Sequence, residues 1–272
     1  MPTEDELIAG QALPITPSQL VKSLRALGVC DGDIVMVHTS MSQLGWIIGD
    51  AQTVVEALLE AVGSSGTIVM PAHSGRSDPA RWQHPPVAPS WVEMIRAEVP
   101  AFDRALTPTR GMGQVVDCFL RHPDTQRSGH PTVSFAANGH YAIDIVEPHA
   151  LSPSLGEGSP LERLYDLGAK VLLLGVGHGN NTSLHLAEYR SSWPDKTFAV
   201  EGAAVLVGAI RTWVAYEDLD LHEEDFVAIG DAYSAINPLG ERIGAVGIGI
   251  GRLYEMRPLV DFAVDWITQH RR

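Results

Sequence analysis

The sequence predicts a layered α/β domain, and three observations predict it. Short apolar runs at Ile34–His38, Thr67–Met70 and Lys170–Val176 read as buried strands. Segments with helical spacing and helix start and stop signals lie between them. The chain has 272 residues, 45% of them hydrophobic, enough for a full core within one domain. Strands alternating with helices pack as layers about such a core.

Taken in order, Thr16-Pro17 supplies an N-cap and a first-turn proline. Leu20, Leu24 and Leu27 follow on one face, and Gly28 stops the helix. Asp31-Gly32-Asp33 is a turn into the first strand. Met41 to Trp46 has no clear assignment. Thr53 to Val62 is a helix ending at Gly63, and Pro71 closes the second strand. Ser74 to Pro100 holds five prolines with Trp82 and Trp91, and reads as one long functional loop. A helix begins near Gly113 and runs to Arg121; Ser134–Gly139 is a strand end and His140–Val146 a helix. Ser159-Pro160 starts another helix, with Glu162 in its first turn. After the strand at 170–176, Asn181-Thr182 is expected to cap a helix that carries His185 and Glu188. Ala203 to Phe226 reads as short strands with acidic turns, and Leu259 to Arg272 as an amphipathic helix.

The formal net charge of −14 disfavours nucleic acid and anionic membranes as partners and suits a cationic ligand. Cys30 and Cys118 form no CxxC pair, so neither a disulfide framework nor a zinc ribbon is expected. A polar start without an apolar core segment, and no apolar run long enough for a bilayer, lead to the expectation of a cytoplasmic protein.

Four clusters carry chemistry. His185 and Glu188 lie one helical turn apart beyond a strand end, where ligands of layered α/β folds bind. A histidine there, with a carboxylate to orient it, is a general-base pair; a structural ion pair uses the same spacing. His38-Thr39-Ser40-Met41-Ser42 places hydroxyls at a strand end, suited to phosphate or a pantetheine amide. Thr109-Arg110-Gly111-Met112-Gly113 and Arg127 offer open backbone and cations for phosphates. Asp78 and the run Glu217, Asp218, Asp220, Glu223, Glu224, Asp225 offer acceptors for ammonium groups, and Trp82 a stacking face. No P-loop, no nucleophile elbow and no di-iron helix pair is present.

Taken together, His38-Thr39-Ser40, Met70-Pro71-Ala72-His73-Ser74, Ser77-Asp78-Pro79-Ala80-Arg81-Trp82 with Pro85-Pro86, Thr107 to Gly113, Arg127-Ser128-Gly129-His130-Pro131 and Leu173 to Gly177 through Asn181-Thr182-Ser183-Leu184-His185-Leu186-Ala187-Glu188 form an ordered series. The series resembles the aminoglycoside 3-N-acetyltransferase family over nearly the whole chain.

The resemblance implies a layered α/β/α fold of the antibiotic N-acetyltransferase type, distinct from the Gcn5 type. It implies one domain over residues 1–272, with an acceptor-site loop at about 74–100. Acetyl-CoA is the implied co-substrate, with no metal. The 3-amino group of the 2-deoxystreptamine ring of an aminoglycoside is the implied acceptor, and antibiotic resistance the outcome. His185 is then the base, Glu188 its partner and Thr182 a candidate oxyanion donor. His38 to Ser42, Ser74, Thr109, Arg110, Met112, Gly113 and Arg127 line the CoA side; Asp78, Trp82, Glu223, Glu224 and Asp225 line the acceptor side. Monomeric and homodimeric forms are both compatible with the resemblance. Thr39-Ser40 stands where relatives often carry Ser-Ser, and Ala72-His73 where they often carry Thr-Gln or Thr-His. An acetyltransferase for another amine, a binding module without turnover and a metal hydrolase remain the competing readings.

Overall fold

The structure is a computed structural model that describes residues 3–83 and 85–272, so position 84 of the long loop and the first two residues of the expected polar start lie outside the described residues. A seven-stranded mixed sheet forms its centre. Strands β1 (Ile34–Thr39), β2 (Thr67–Pro71) and β5 (Lys170–Leu174) are parallel neighbours with β1 in the middle. β4 (Phe135–Gly139) and the short β3 (Gln126–Arg127) extend the β2 side antiparallel. β9 (Gly249–Glu255) and β8 (Glu241–Val246) extend the β5 side antiparallel. A separate ribbon pairs β6 (Phe198–Val207) with β7 (Ile210–Leu219).

Both faces of the sheet are covered, which is why the central strands are apolar along most of their length, with polar residues only at their ends: Thr67, Lys170, His38 and Thr39. Val35, Val37, Ile68, Met70, Leu172 and Leu174 point to one face. There they meet α2 (Pro17–Leu27), α4 (Asp50–Val62) and α6 (Gln114–Arg121). Met36, Val69, Val171 and Leu173 point to the other face. That face is closed by α7 (Ala142–Val146), α8 (Pro160–Asp166), α9 (Leu184–Arg190), α10 (Phe226–Ile236) and α11 (Met256–His270). The result is the expected three-layer α/β/α arrangement.

Helix α2 begins as its sequence indicates, with a Thr16–Gln19 capping box and Pro17 in the first turn, and it ends at the left-handed Gly28. Met41–Leu44, which had no assignment, is the single-turn α3. α1 (Glu4–Ala9) was not foreseen. Nor was the β8–β9 hairpin. Its glycines at 244, 247, 249 and 251 blank out the side-chain alternation that marks a strand. Those glycines allow close packing instead: a Cβ on Gly251 would lie 2.9 Å from Leu27 Cδ2.

Two expectations need correction. The segment 203–226 contains one long ribbon rather than several short strands, since β6 and β7 pair over all ten of their residues. The segment 74–100 is not an extended loop. It holds two 3₁₀ turns, Pro79–Arg81 and Pro89–Trp91, followed by the helix α5 (Val92–Glu98). Ion pairs fasten it. Arg96 grips the buried Asp78 carboxylate with both oxygens engaged, at 2.8 and 3.1 Å. Arg81 reaches Glu201 on β6 at 2.7 Å and Asp220 just past β7 at 2.6 Å. Arg211 on β7 donates to the carbonyls of Val99 and Arg96. Trp82, Ile95, Phe102 and Trp213 line a small cavity beside this strap.

Arg96→Ala leaves the Asp78 carboxylate buried without its counter-ion. A loss on the order of 3 kcal/mol is expected, read as a lowered urea midpoint with faster proteolytic nicking between positions 76 and 100.

Candidate active site

The carboxyl ends of the three parallel strands open onto one edge of the sheet. His38 and Thr39 end β1; Ala72 and His73 follow β2; the glycine-rich turn 175–179 follows β5. Gly175 has φ +66, and a Cβ there would meet Gln43 Cβ at 2.6 Å and the Ser40 carbonyl at 3.1 Å. A glycine is therefore required for the chain to turn tightly over α3. The turn passes through the 3₁₀ segment His178–Asn180 and enters α9. Gly230 on α10 makes room for the His178 ring, because a side chain there would overlap it.

α9 does not start as expected. Asn181 turns its Oδ1 to the backbone N–H and the hydroxyl of Ser183, at 3.2 and 2.6 Å. The N-cap residue is Ser183, whose side chain makes no cap hydrogen bond to the helix. The Thr182 N–H donates to His38 Nε2 at 3.3 Å, which ties the helix entry to the end of β1.

One turn into α9, His185 Nδ1 lies 2.6 Å from Glu188 Oε2. The partner is a carboxylate, so Nδ1 carries the hydrogen and Nε2 is left with a free lone pair. Nε2 has no protein partner among the described residues. Phe226 meets the ring edge-on, with centroids 4.9 Å apart. Glu188 is fully buried. Its second oxygen accepts from the His222 backbone N–H at 2.9 Å and from the Arg271 guanidinium at 2.5 Å. Arg271 in turn holds Asp225 through two bonds of 2.7 Å.

Around this pair, buried polar atoms stand without protein partners: Thr39 Oγ1 and His73 Nε2. Burial, then the nearby His185, push both His38 and His73 down to about 3. They therefore face the site as neutral rings. His73 was not singled out by sequence; its only signal was the departure at Ala72-His73.

The remaining candidates divide sharply. The segment Thr109–Gly113 lies beside the site, because the Arg110 N–H donates to the His73 carbonyl at 2.9 Å. Gly111 and Gly113 have open space where a Cβ would stand, as does Gly177. Thr109 donates to Asp117 at 2.7 Å, and Ser40 and Ser42 lie 3.4 Å apart at the start of α3. Met41 and Met112 pack against the core rather than into open space.

Ser74 is buried, donating to the Pro131 carbonyl at 2.5 Å, so it ties two loops together. Arg127 is a larger correction. It is buried, and its guanidinium donates to Ser134 and to the carbonyls of Ala72, Arg104 and Thr107. Burial lowers it to about 10, and four of its five N–H donors are taken by these protein acceptors. On the acceptor side, Asp78 is consumed by Arg96 and Asp225 by Arg271. Asp218 accepts from Tyr189 at 2.8 Å. Glu217, Glu223 and Glu224 remain exposed. Trp82 donates to the Ser77 carbonyl at 2.9 Å and presents its face to Arg76.

Among the described residues no cluster of three or more His, Cys, Asp or Glu is arranged to hold a metal, and no helix is long and apolar enough to cross a membrane. A ligand with a carbonyl, an amide and phosphates fits what is present: unpartnered hydroxyl and imidazole groups, open glycine backbone, and Arg110 at the rim.

Comparison with known proteins gives one consistent result. Residues 36–268 match the family model described as aminoglycoside 3-N-acetyltransferase. The SPbeta prophage-derived aminoglycoside N(3')-acetyltransferase-like protein YokD of Bacillus subtilis is 40% identical over 267 residues, 97% of each chain. Its crystal structure superposes with a TM-score of 0.95, covering 98% of each chain at 38% identity. Aminoglycoside N(3)-acetyltransferase VIII of Streptomyces fradiae is 38% identical over 97% of this chain and 96% of its own. A structure of AAC-IIIb in binary complex with CoASH superposes with a TM-score of 0.84 at 30% identity, covering 94% of this chain and 97% of that one.

Four histidines in and behind the site are held neutral by burial: His38, His73 and His149 fall to about 3 and His130 to about 4. An unfolded histidine takes up a proton near ~6.5. Their contribution to stability is complete above that pH and is lost as the pH falls toward 4. Urea midpoints should drop between pH 6.5 and 4.5 with more than one proton taken up on unfolding, and His149→Asn should flatten that dependence.

Proposed function

The chain belongs to the aminoglycoside 3-N-acetyltransferase family, and from that premise we propose that it moves the acetyl group of acetyl-CoA to the 3-amino group of a 2-deoxystreptamine aminoglycoside. The enzyme class and the aminoglycoside acceptor follow from family membership. The observation that supports the chemical assignment is the His185–Glu188 pair, with Nε2 unpartnered at the carboxyl ends of β1, β2 and β5.

An aminoglycoside amine is largely protonated at neutral pH and is then no nucleophile. His185 Nε2 takes a proton from the ammonium, and the resulting imidazolium is held against the Glu188 carboxylate. The free amine attacks the thioester carbonyl carbon, a C–N bond forms, the C–S bond breaks, His185 returns its proton to the leaving thiolate, and the second amine proton leaves to solvent as the neutral amide forms. The Thr182 hydroxyl is the candidate donor to the oxygen on which negative charge develops. The thioester approaches along the ledge made by Thr39, Ser40, Ser42, Gly177 and the Thr109–Gly113 segment, where Arg110 sits at the rim. Glu223, Glu224 and Glu217, on a chain of net charge −14, attract the remaining ammonium groups. Transfer is direct: Cys30 is exposed on the turn before β1 and Cys118 sits on α6, neither paired with a histidine.

Thiol release with gentamicin and acetyl-CoA, followed by NMR of the product, should place the acetyl group on N3. No turnover across an aminoglycoside panel, with CoA still bound, would move the function to another amine. His185→Ala should lower kcat by about 10²- to 10⁴-fold with the fold intact. A stable acetyl-enzyme in intact mass spectra, formed without acceptor, would rule out direct transfer.

A further inference from the structure

The carboxylate of the pair is held from behind by a residue that the reaction scheme does not use. Arg271 follows α11 and folds back under α9, with its side chain only 9% exposed. It makes four hydrogen bonds: one to Glu188 Oε1, two to Asp225 and one to the His222 carbonyl. Trp193 covers the guanidinium face, with Cζ 5.1 Å from the ring centre. His222 closes the loop, because its backbone N–H donates to the same Glu188 oxygen.

We propose that Arg271 is a positioning residue for the reaction: its fork fixes the Glu188 carboxylate against His185 and shares its charge with Asp225, so that the Arg271–Asp225 couple sets the pH at which His185 becomes a free base. The proposal rests on the reading of His185 as the base.

The charge count gives it a sign. With His185 neutral, Glu188, Asp225 and Arg271 sum to one negative charge. Removing Arg271 leaves two negative charges beside the imidazole, and its proton is held more tightly. Removing the Asp225 charge leaves none, and the proton is released more readily.

The other groups facing the pair do not blur this sign. His38 from β1 and His73 from the end of β2 are neutral at working pH. His178 from the 3₁₀ turn is also lowered by burial. Lys196 donates to the carbonyls of Glu188, Tyr189 and Ser191 and is unchanged in every variant. His222 lies on the loop before α10, its ring 3.7 Å from Glu224.

The test is an NMR titration of the His185 imidazole, beside the pH dependence of kcat/KM for acetyl transfer. Arg271→Ala should move the midpoint up by about one pH unit or more and Asp225→Asn should move it down. Arg271→Lys keeps the charge and loses the fork, so its midpoint should stay near that of the unaltered protein while kcat falls. Added guanidinium ion should restore the Arg271→Ala midpoint. Midpoints of folded Arg271→Ala and Asp225→Asn that coincide with the unaltered protein's would overturn the proposal, whatever happens to kcat, and leave Arg271 a latch for the tail. Should Arg271→Ala fail to fold, Asp225→Asn and Arg271→Lys decide by the same midpoints. The titration needs no substrate, so absence of acetyl transfer by the unaltered protein would sink the acetyltransferase reading alone.

Discussion

A carboxylate with no exposure to water is the constraint around which the site is arranged. Glu188 sits inside the second core layer, and an isolated charge there would be expelled or neutralised. Every one of its partners comes from a different part of the chain. His185 comes from its own helix, the His222 backbone from the loop before α10, and Arg271 from beyond α11. Satisfying one buried charge therefore requires three elements distant in sequence to be in place together. The price of that burial is a network in which each member depends on the others, and the same network holds the imidazole in one tautomer and one orientation.

The same principle organises the acceptor side. Asp78, buried under the strap at 76–100, is neutralised by Arg96 from α5, and Arg81 ties the strap to β6 at Glu201 and to Asp220 just past β7. Arg127, buried at the end of β3, gives its donors to the Ser134 hydroxyl and to backbone carbonyls. Charges that read as ligand contacts in sequence become the fasteners of the loops that shape the cleft. Glu217, Glu223 and Glu224 stay exposed to water.

Histidine carries a different burden here. His38, His73, His130 and His149 are all kept neutral inside or beside the site. Neutral rings donate and accept hydrogen bonds without adding positive charge, which would repel a cationic acceptor. His149 and His130 bind the loops at 128–135 and 149–154 through Ser128, Ser154 and Leu151. His38 and His73 face the ligand side.

The three parallel strands, the helices beginning at Pro17 and Pro160, the turn at Gly175 and the pairing of His185 with Glu188 were all legible in the sequence. Each depends on local rules: apolar runs, caps, positive φ at glycine and the three-residue spacing of a helical face. The order of six motif blocks supplied the family. What the sequence withheld is of another kind. The β8–β9 hairpin was hidden by glycines that carry no alternation, and α5 by the prolines around it. The protein partners of Arg127, Asp78 and Asp225 were hidden, because an arginine or an aspartate has the same letter whether it faces water or a buried partner. Arg271 had no signal at all, since its meaning lies in a contact across 83 positions with Glu188. Short-range periodicity determined the elements and the His185–Glu188 pair; only the packing of the layers decided which charges are buried, and a buried charge must find its partner wherever the fold brings one.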